Sequence, residues 1–245
     1  MMCAMSNHHH VAIFDRDARY PEFIEHFHKL FARSQNALRG RWENFWAAGQ
    51  TSVVRLIDTE DVLAKLVYIA TNPVKDDLVE RVHHWPGING YRALINGKTL
   101  RATRPRHFFR AEGPLPDVVE IQLTIPSELG DRDEILRCFE ERVAQFEERT
   151  KRERAAANRS VMGRRAILCQ SWKAAPTTFE PRRVLNPRVA ARSLWSRIEA
   201  LVRNKAFVRA YQAARAAWRD GLPAEFPVGT YWLRRFANVP IVSVS

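Results

Sequence analysis

Two groups of residues have types and spacing suited to chemistry: His8-His9-His10 near the amino end, and Tyr68 with Asn72 further along. In an extended strand, side chains alternate between faces, so His8 and His10 share one face and His9 takes the other. Two imidazoles at i and i+2 can hold one metal ion. A solvent-facing or tag-like histidine run fits the same letters. Tyr68 and Asn72 stand four apart, which puts them on one helix face. A phenol one turn from an amide oxygen can place a nucleophile beside a metal ligand. On spacing alone, a core tyrosine and a helix-ending asparagine before Pro73 are the plain alternative.

Those residues need elements to carry them. Residues 3–14 (CAMSNHHHVAIF) read as a strand. Residues 19–38 read as a helix, with Phe23, Phe27, Leu30, Phe31 and Ala37 recurring at three- and four-residue steps and Gly40 as the stop. Residues 42–57 read as an aromatic, irregular segment leading into a strand. Asp58 or Thr59 caps the next helix, with Glu60 and Asp61 in its first turn. That helix is expected to reach about Thr71 and to end at Pro73, because a residue before proline is pushed out of helical geometry. Residues 82–116 look loop-like. VVEIQLTI (118–125) alternates as a half-buried strand, and 131–157 is a long amphipathic helix with Ile135, Phe139, Val143 and Phe146 on one side. Residues 158–187 read as a partly irregular connection, 188–219 as one or two basic helices, and the tail as loop plus strand.

Composition narrows the function classes. The 245 residues carry 39 Lys/Arg against 27 Asp/Glu, a formal charge of +12. The excess is concentrated: residues 150–220 hold 17 Lys/Arg and 4 Asp/Glu, so the rest of the chain is close to neutral. A neutral part followed by a basic part is a common footprint of a nucleic-acid partner, although a solvated basic helix surface has the same letters. No run of about 18 apolar residues offers a membrane span. No secretory leader pattern opens the chain. Cys3, Cys138 and Cys169 lie far apart without a CxxC pair, which argues against a disulfide framework or a cysteine-built zinc site.

MSNHHHVAIF followed by LVYIATNPVKDDLV and then Trp85-Pro86-Gly87 resembles the HUH single-tyrosine transposases, with the REP-associated tyrosine transposases as the nearest group. Those proteins carry M-P-N-H-x-H-L on a central strand and Y-I-x-x-N-P-V-x-x-x-L-V on a following helix. Met5, Ser6, Asn7, His8 and His10 fit the first phrase, with Ser6 in place of the usual proline. Tyr68, Ile69, Asn72, Pro73, Val74, Leu78 and Val79 fit the second, and Trp85-Pro86 fits the Trp/Tyr-Pro that often follows. The resemblance covers roughly residues 3–90.

The resemblance implies an α+β fold: a ferredoxin-like antiparallel sheet with packed helices, followed by a mainly helical basic extension. It implies a catalytic domain over residues 1–90 and an extension over 91–245. It implies cleavage and rejoining of single-stranded or hairpin DNA through a 5′-phosphotyrosine link. Tyr68 would be the nucleophile, with His8, His10 and Asn72 as ligands of Mg²⁺ or Mn²⁺. No membrane partner is expected, a homodimer is an open option, and the expected location is the cytoplasm, with the nucleoid. Family domains usually open with a strand and a helix ahead of the histidine strand. This sequence begins close to that strand, so a sheet missing its first strand and helix is expected, which puts activity of this polypeptide in question.

The chemistry explains the residue types. A phenol has a reference pKa near 10, so attack on a phosphodiester needs proton removal or charge neutralisation at the phosphate. Two imidazoles and an amide oxygen suit Mn²⁺ better than Mg²⁺. Imidazoles must be neutral to ligate, so activity is expected to fall below about pH 6.5. Exchange of one phosphodiester for another needs no ATP, and the chain has no GxxxxGK[ST] phosphate loop. His9, where the family has a bulky apolar residue, is expected to face away from the metal. His26, His28, His83, His84 and His107 read as surface or core-edge residues. RPRHFFR, with Arg104 and Arg106, mixes cations with aromatics in the way that suits stacking on unpaired bases. Arg188, Arg192, Arg197, Arg203 and Arg209 are candidates to track a phosphate backbone. Two other functions compete: a catalytically inactive remnant that only binds DNA, and a plain metal-binding or structural domain.

Overall fold

The computed structural model describes residues 1–47, 51–174 and 187–242. The chain divides into two compact units, residues 1–51 with 62–185, and residues 52–61 with 186–245. Its class is α+β, and the described residues form three two-stranded sheets, two antiparallel and one parallel. Among the described residues no helix is long and apolar enough to cross a membrane.

The first unit opens on a hairpin. β1 (Met2–Ala4) pairs antiparallel with β2 (His9–Val11) in the register Met2↔Val11, Cys3↔His10, Ala4↔His9. The single strand expected over 3–14 is therefore two strands joined by a turn. Ser6 and Asn7 are turn formers, and the Met5 amide donates to the His8 carbonyl at 2.8 Å to close it. On its other side β1 pairs with the segment 88–90: Ala4 N–H donates to Ile88 O at 2.9 Å and Gly90 N–H to Met2 O at 2.8 Å. α1 (Tyr20–Arg39) follows, its first backbone amides held by the Asp15 carboxylate, and it ends at Gly40 in the left-handed region at φ 61°.

α2 (Thr59–Lys75) carries Leu63, Leu66, Ala70 and Val74 along one side, the 3.6-residue period of a buried face. Pro73 does not end this helix but lies inside it. A proline in the last turn costs one donor, and burial of Asn72 and Val74 holds the backbone helical past it. The stop comes at Asp77, in the left-handed region at φ 52°. Asp77 N–H donates to Val74 O and Leu78 N–H to Pro73 O, a Schellman closure made without glycine.

α4 (Arg132–Ala156) is capped by Asp131, whose side chain accepts from the Glu134 amide at 2.8 Å. Ile135, Leu136, Phe139 and Val143 on α4 pack with the α2 face, Val79, Val82, Trp85 and Leu94 into one core. Leu94 belongs to α3 (Tyr91–Ile95). The core thus draws on residues on both sides of position 90. β4 (Leu100–Thr103) pairs antiparallel with β5 (Val118–Ile121), so the loop-like stretch 82–116 contains a strand. α5 (Arg164–Cys169) lies in the connection read as irregular, of which residues 175–186 fall outside the described residues.

In the second unit β3 (Arg55–Leu56) pairs parallel with β6 (Val189–Ala190). The basic stretch forms one helix, α6 (Leu194–Arg219), capped by Ser193. Phe226 is fully buried against Tyr211 and Trp218. Within the tail expected as loop plus strand, a helix forms instead, α7 (Trp232–Ala237), where the i, i+4 pair Trp232 and Phe236 stack at 5.6 Å.

Candidate active site

The hairpin and α2 bring the candidate residues together. The rings of His8 and His10 meet edge to face with centroids 5.0 Å apart, and His10 meets Tyr68 at 5.2 Å. Alternation across the hairpin holds: His9 points the other way, into Phe27, His28 and Trp46 at 5.4–5.5 Å. His8 lies in the turn just before β2 rather than on the strand. Its Nδ1 bonds Asn7 Oδ1 at 2.7 Å. An amide oxygen can only accept, so Nδ1 is the donor in this bond.

Two atoms of the expected ligand set are buried and unpaired. His10 Nε2 and Asn72 Oδ1 have no hydrogen-bond partner, and Asn72 is only 2% exposed. Such an atom costs about 1–3 kcal/mol if nothing meets it. Burial, then the nearby His8, His9, Lys65 and Lys75, pushes the His10 imidazole down to about 4. Its ring is therefore neutral at ordinary pH, which is the ligating form. The expected acid limit near pH 6.5 does not apply to His10, because desolvation moves it well below that value. A neutral imidazole and an amide oxygen, both orphaned, fit a divalent cation of the Mn²⁺ or Mg²⁺ kind. Among the described residues no three His, Cys, Asp or Glu side chains gather as a metal group. The His8, His10 and Asn72 set is of a different composition, with an amide as its third member.

Residues given no site role from the sequence hold this geometry. Asn89 donates from Nδ2 to the Ala70 carbonyl of α2 at 2.9 Å and lies 3.6 Å from Cys3 Sγ of β1, while its Oδ1 accepts from the Tyr91 amide. One side chain thus ties α2 to the histidine hairpin. Trp85 donates from Nε1 to the Ala4 carbonyl at 3.1 Å. A Cβ at Gly87 would sit 2.6 Å from Trp85 Nε1, so the Trp-Pro-Gly phrase packs this hairpin from one side. At the far end of α2, Asp77 pairs with Arg159 and, at 3.5 Å, with Arg154, which is 4% exposed and also reaches the Val74 carbonyl. The ING and WPG letters were visible signals for Asn89 and Trp85. Nothing in the local sequence pairs Asp77 with Arg154.

Among the DNA-binding candidates, Arg104 binds the Leu115 and Ala111 carbonyls and the Asp117 carboxylate, stapling the loop between β4 and β5. That guanidinium is engaged within the protein. Arg106, Arg188 and Arg197 are exposed, and Arg192 pairs with Glu60 at 2.7 Å. Arg203 pairs with Glu199 one turn back on α6 at 2.8 Å, and Arg209 is exposed. Comparison with family models finds no match to the chain, and comparison with curated proteins and with solved structures finds none either.

Proposed function

We propose that the chain is a single-tyrosine DNA strand transferase of the HUH kind. The observation that carries the reading is that the His10 ring meets both Tyr68 and His8 from separate elements, with His10 Nε2 orphaned there and Asn72 Oδ1 orphaned one helical turn from Tyr68. A plain core tyrosine would leave no reason for unpaired polar atoms at its side.

In this reading the Tyr68 hydroxyl oxygen attacks the phosphorus of a single-stranded phosphodiester. The new bond joins the phenolic oxygen to the 5′-phosphate. The bond to the 3′-oxygen breaks, and that oxygen leaves as a hydroxyl with the proton the phenol gave up. A later attack by a free 3′-hydroxyl reverses the exchange, so no nucleotide is consumed. His8, His10 and Asn72 are the residues to hold Mg²⁺ or Mn²⁺, which supplies charge neutralisation at a non-bridging phosphate oxygen when bound. Asn89 holds α2 against β1 and so keeps the phenol beside the imidazoles. The sheet belongs to this proposal as ferredoxin-like. The edge of β2 away from β1 pairs with no strand among the described residues, and it is where a further strand, or a second copy in a homodimer, would continue the sheet.

The test is incubation of the full chain with hairpin-bearing single-stranded oligonucleotides and Mn²⁺. The expected result is a covalent protein–DNA adduct, present in wild type and absent in Tyr68→Phe. DNA binding without any adduct would support the second reading instead, a non-catalytic DNA-binding remnant. That reading draws on the Arg/Lys content of α6, where Arg197, Arg203, Lys205, Arg209, Arg215 and Arg219 are all exposed. Absence of any salt-dependent DNA affinity would remove both.

A further inference from the structure

Lys65, Tyr68, Asn72 and Lys75 follow one another along α2 at three-, four- and three-residue steps, so they line one stripe of the helix. The Nζ atom of Lys65 stands 5.0 Å from the centre of the Tyr68 ring and that of Lys75 stands 5.5 Å from it. Both lysines are exposed. Neither takes part in an ion pair among the described residues, although many of the arginines do. The neutral ring of His10 meets the Tyr68 ring, the His8 ring meets that of His10, and Asn72 stands one turn on from Tyr68 along the same helix.

Two ammonium groups held around one phenol, with no carboxylate paired to them, make a site that lacks its anion. Ammonium groups resting on a tyrosine ring gain a modest attraction. That attraction accounts for one such arrangement, but like charges repel, and a second lysine on the same ring raises the electrostatic cost rather than lowering it. A phosphodiester removes the conflict. It brings a full negative charge and two non-bridging oxygens, enough to meet one lysine on each, and Lys is a point-charge binder suited to that task.

We propose that Lys65 and Lys75 form a clamp for a backbone phosphate of single-stranded nucleic acid, one before and one after Tyr68 along α2. Taking that phosphate to be the one Tyr68 attacks rests on the strand-transfer reading; the clamp itself does not. The lysines then hold the phosphate over the phenol and add positive charge where negative charge gathers in the transition state. They do so from the protein's own side chains, independently of any metal.

The experiment uses the full chain with Tyr68→Phe, so that nothing is cleaved, in EDTA, with a random-sequence single-stranded oligonucleotide as probe. Amine acetylation read by mass spectrometry is expected to fall several-fold at Lys65 and Lys75 when the oligonucleotide is present. Exposed Lys151 on α4 is the internal reference. Replacing both lysines by Gln is expected to make the fall of log affinity with log salt shallower by about 0.7 for each phosphate no longer neutralised, and Arg replacements are expected to restore it. Unchanged acetylation at both lysines, or an unchanged salt slope in the double variant, would overturn the clamp. Protection together with no Tyr68 adduct in wild type with Mn²⁺ keeps the clamp and removes the strand-transfer reading. An adduct forming at wild-type KM and kcat in the double Gln variant keeps the reading and removes the clamp.

Discussion

The His10 ring meets the Tyr68 ring edge to face, with centroids 5.2 Å apart, although one sits on a hairpin strand and the other in the middle of a helix. The Asn89 amide bridges the same two elements, from Cys3 on the neighbouring strand to Ala70 two residues beyond Tyr68. The meeting of the rings is therefore a product of packing, and changes to the packing residues should move it.

Asn72→Leu separates structure from ligation. The amide oxygen is buried without a partner, so its removal should leave the metal-free protein as stable as before or more stable by about 1 kcal/mol. On the proposed ligand set, Mn²⁺ is expected to raise the melting temperature by binding the folded state, and the same change should remove most of that rise. Thermal unfolding of both proteins with EDTA and with Mn²⁺ checks this. A large drop in stability in EDTA would show that Asn72 is a structural amide instead.

Asn89→Ala should cost about 1–3 kcal/mol in urea unfolding, since it removes a hydrogen-bonded side chain that joins β1, α2 and the start of α3. It should also lower the rate of adduct formation more than it lowers DNA affinity, because it acts on the placement of Tyr68. Equal reductions in rate and affinity would argue against a positioning role.

Arg154→Leu leaves Asp77 with Arg159 alone at the left-handed residue that ends α2. The expected destabilisation is about 2 kcal/mol, read from urea midpoints, with earlier hydrogen exchange at Leu78 and Val79, whose amides close the helix on Pro73. Retention of both amides' protection would place the role of Arg154 elsewhere.

Burial, with Glu140 and Glu147 nearby, pushes the Tyr91 hydroxyl up to about 12 from an ordinary 10.0. The folded state thus holds this proton after the unfolded chain has released it. The stabilising contribution is complete below about pH 10 and is lost as pH rises through about 12. Urea midpoints should fall across that window, and Tyr91→Phe should flatten the fall. A variant that tracks wild type throughout would show that Tyr91 is not responsible.

Much of the local structure was legible in the residues themselves. The steps of Phe23, Phe27, Leu30 and Phe31 with the Gly40 stop, the acidic first turn after Asp58 and Thr59, and the stripe of Ile135, Phe139, Val143 and Phe146 are near-neighbour effects, and α1, the start of α2 and α4 follow from them. The alternation that parts His9 from His8 and His10 is a property of extended backbone and holds across the turn. Pro73 misled at the end of α2, because the local preference of a pre-proline residue is weaker than the burial of Asn72 and Val74. The tail misled because stacking of Trp232 on Phe236 is available to a helix and not to a strand.

Residue types and spacing by themselves determined which side chains have the chemistry: two imidazoles on one face, and a phenol one helical turn from an amide. Whether they meet was decided only by the fold, since side chains on separate elements come together through core packing and through single ties such as Asn89 and Trp85. The orphaning of His10 Nε2 and Asn72 Oδ1 belongs to the tertiary structure for the same reason, whereas the gathering of Lys65 and Lys75 on Tyr68 follows from their spacing along one helix. Burial and charge depend on every neighbour in space, and most of those neighbours are distant along the chain.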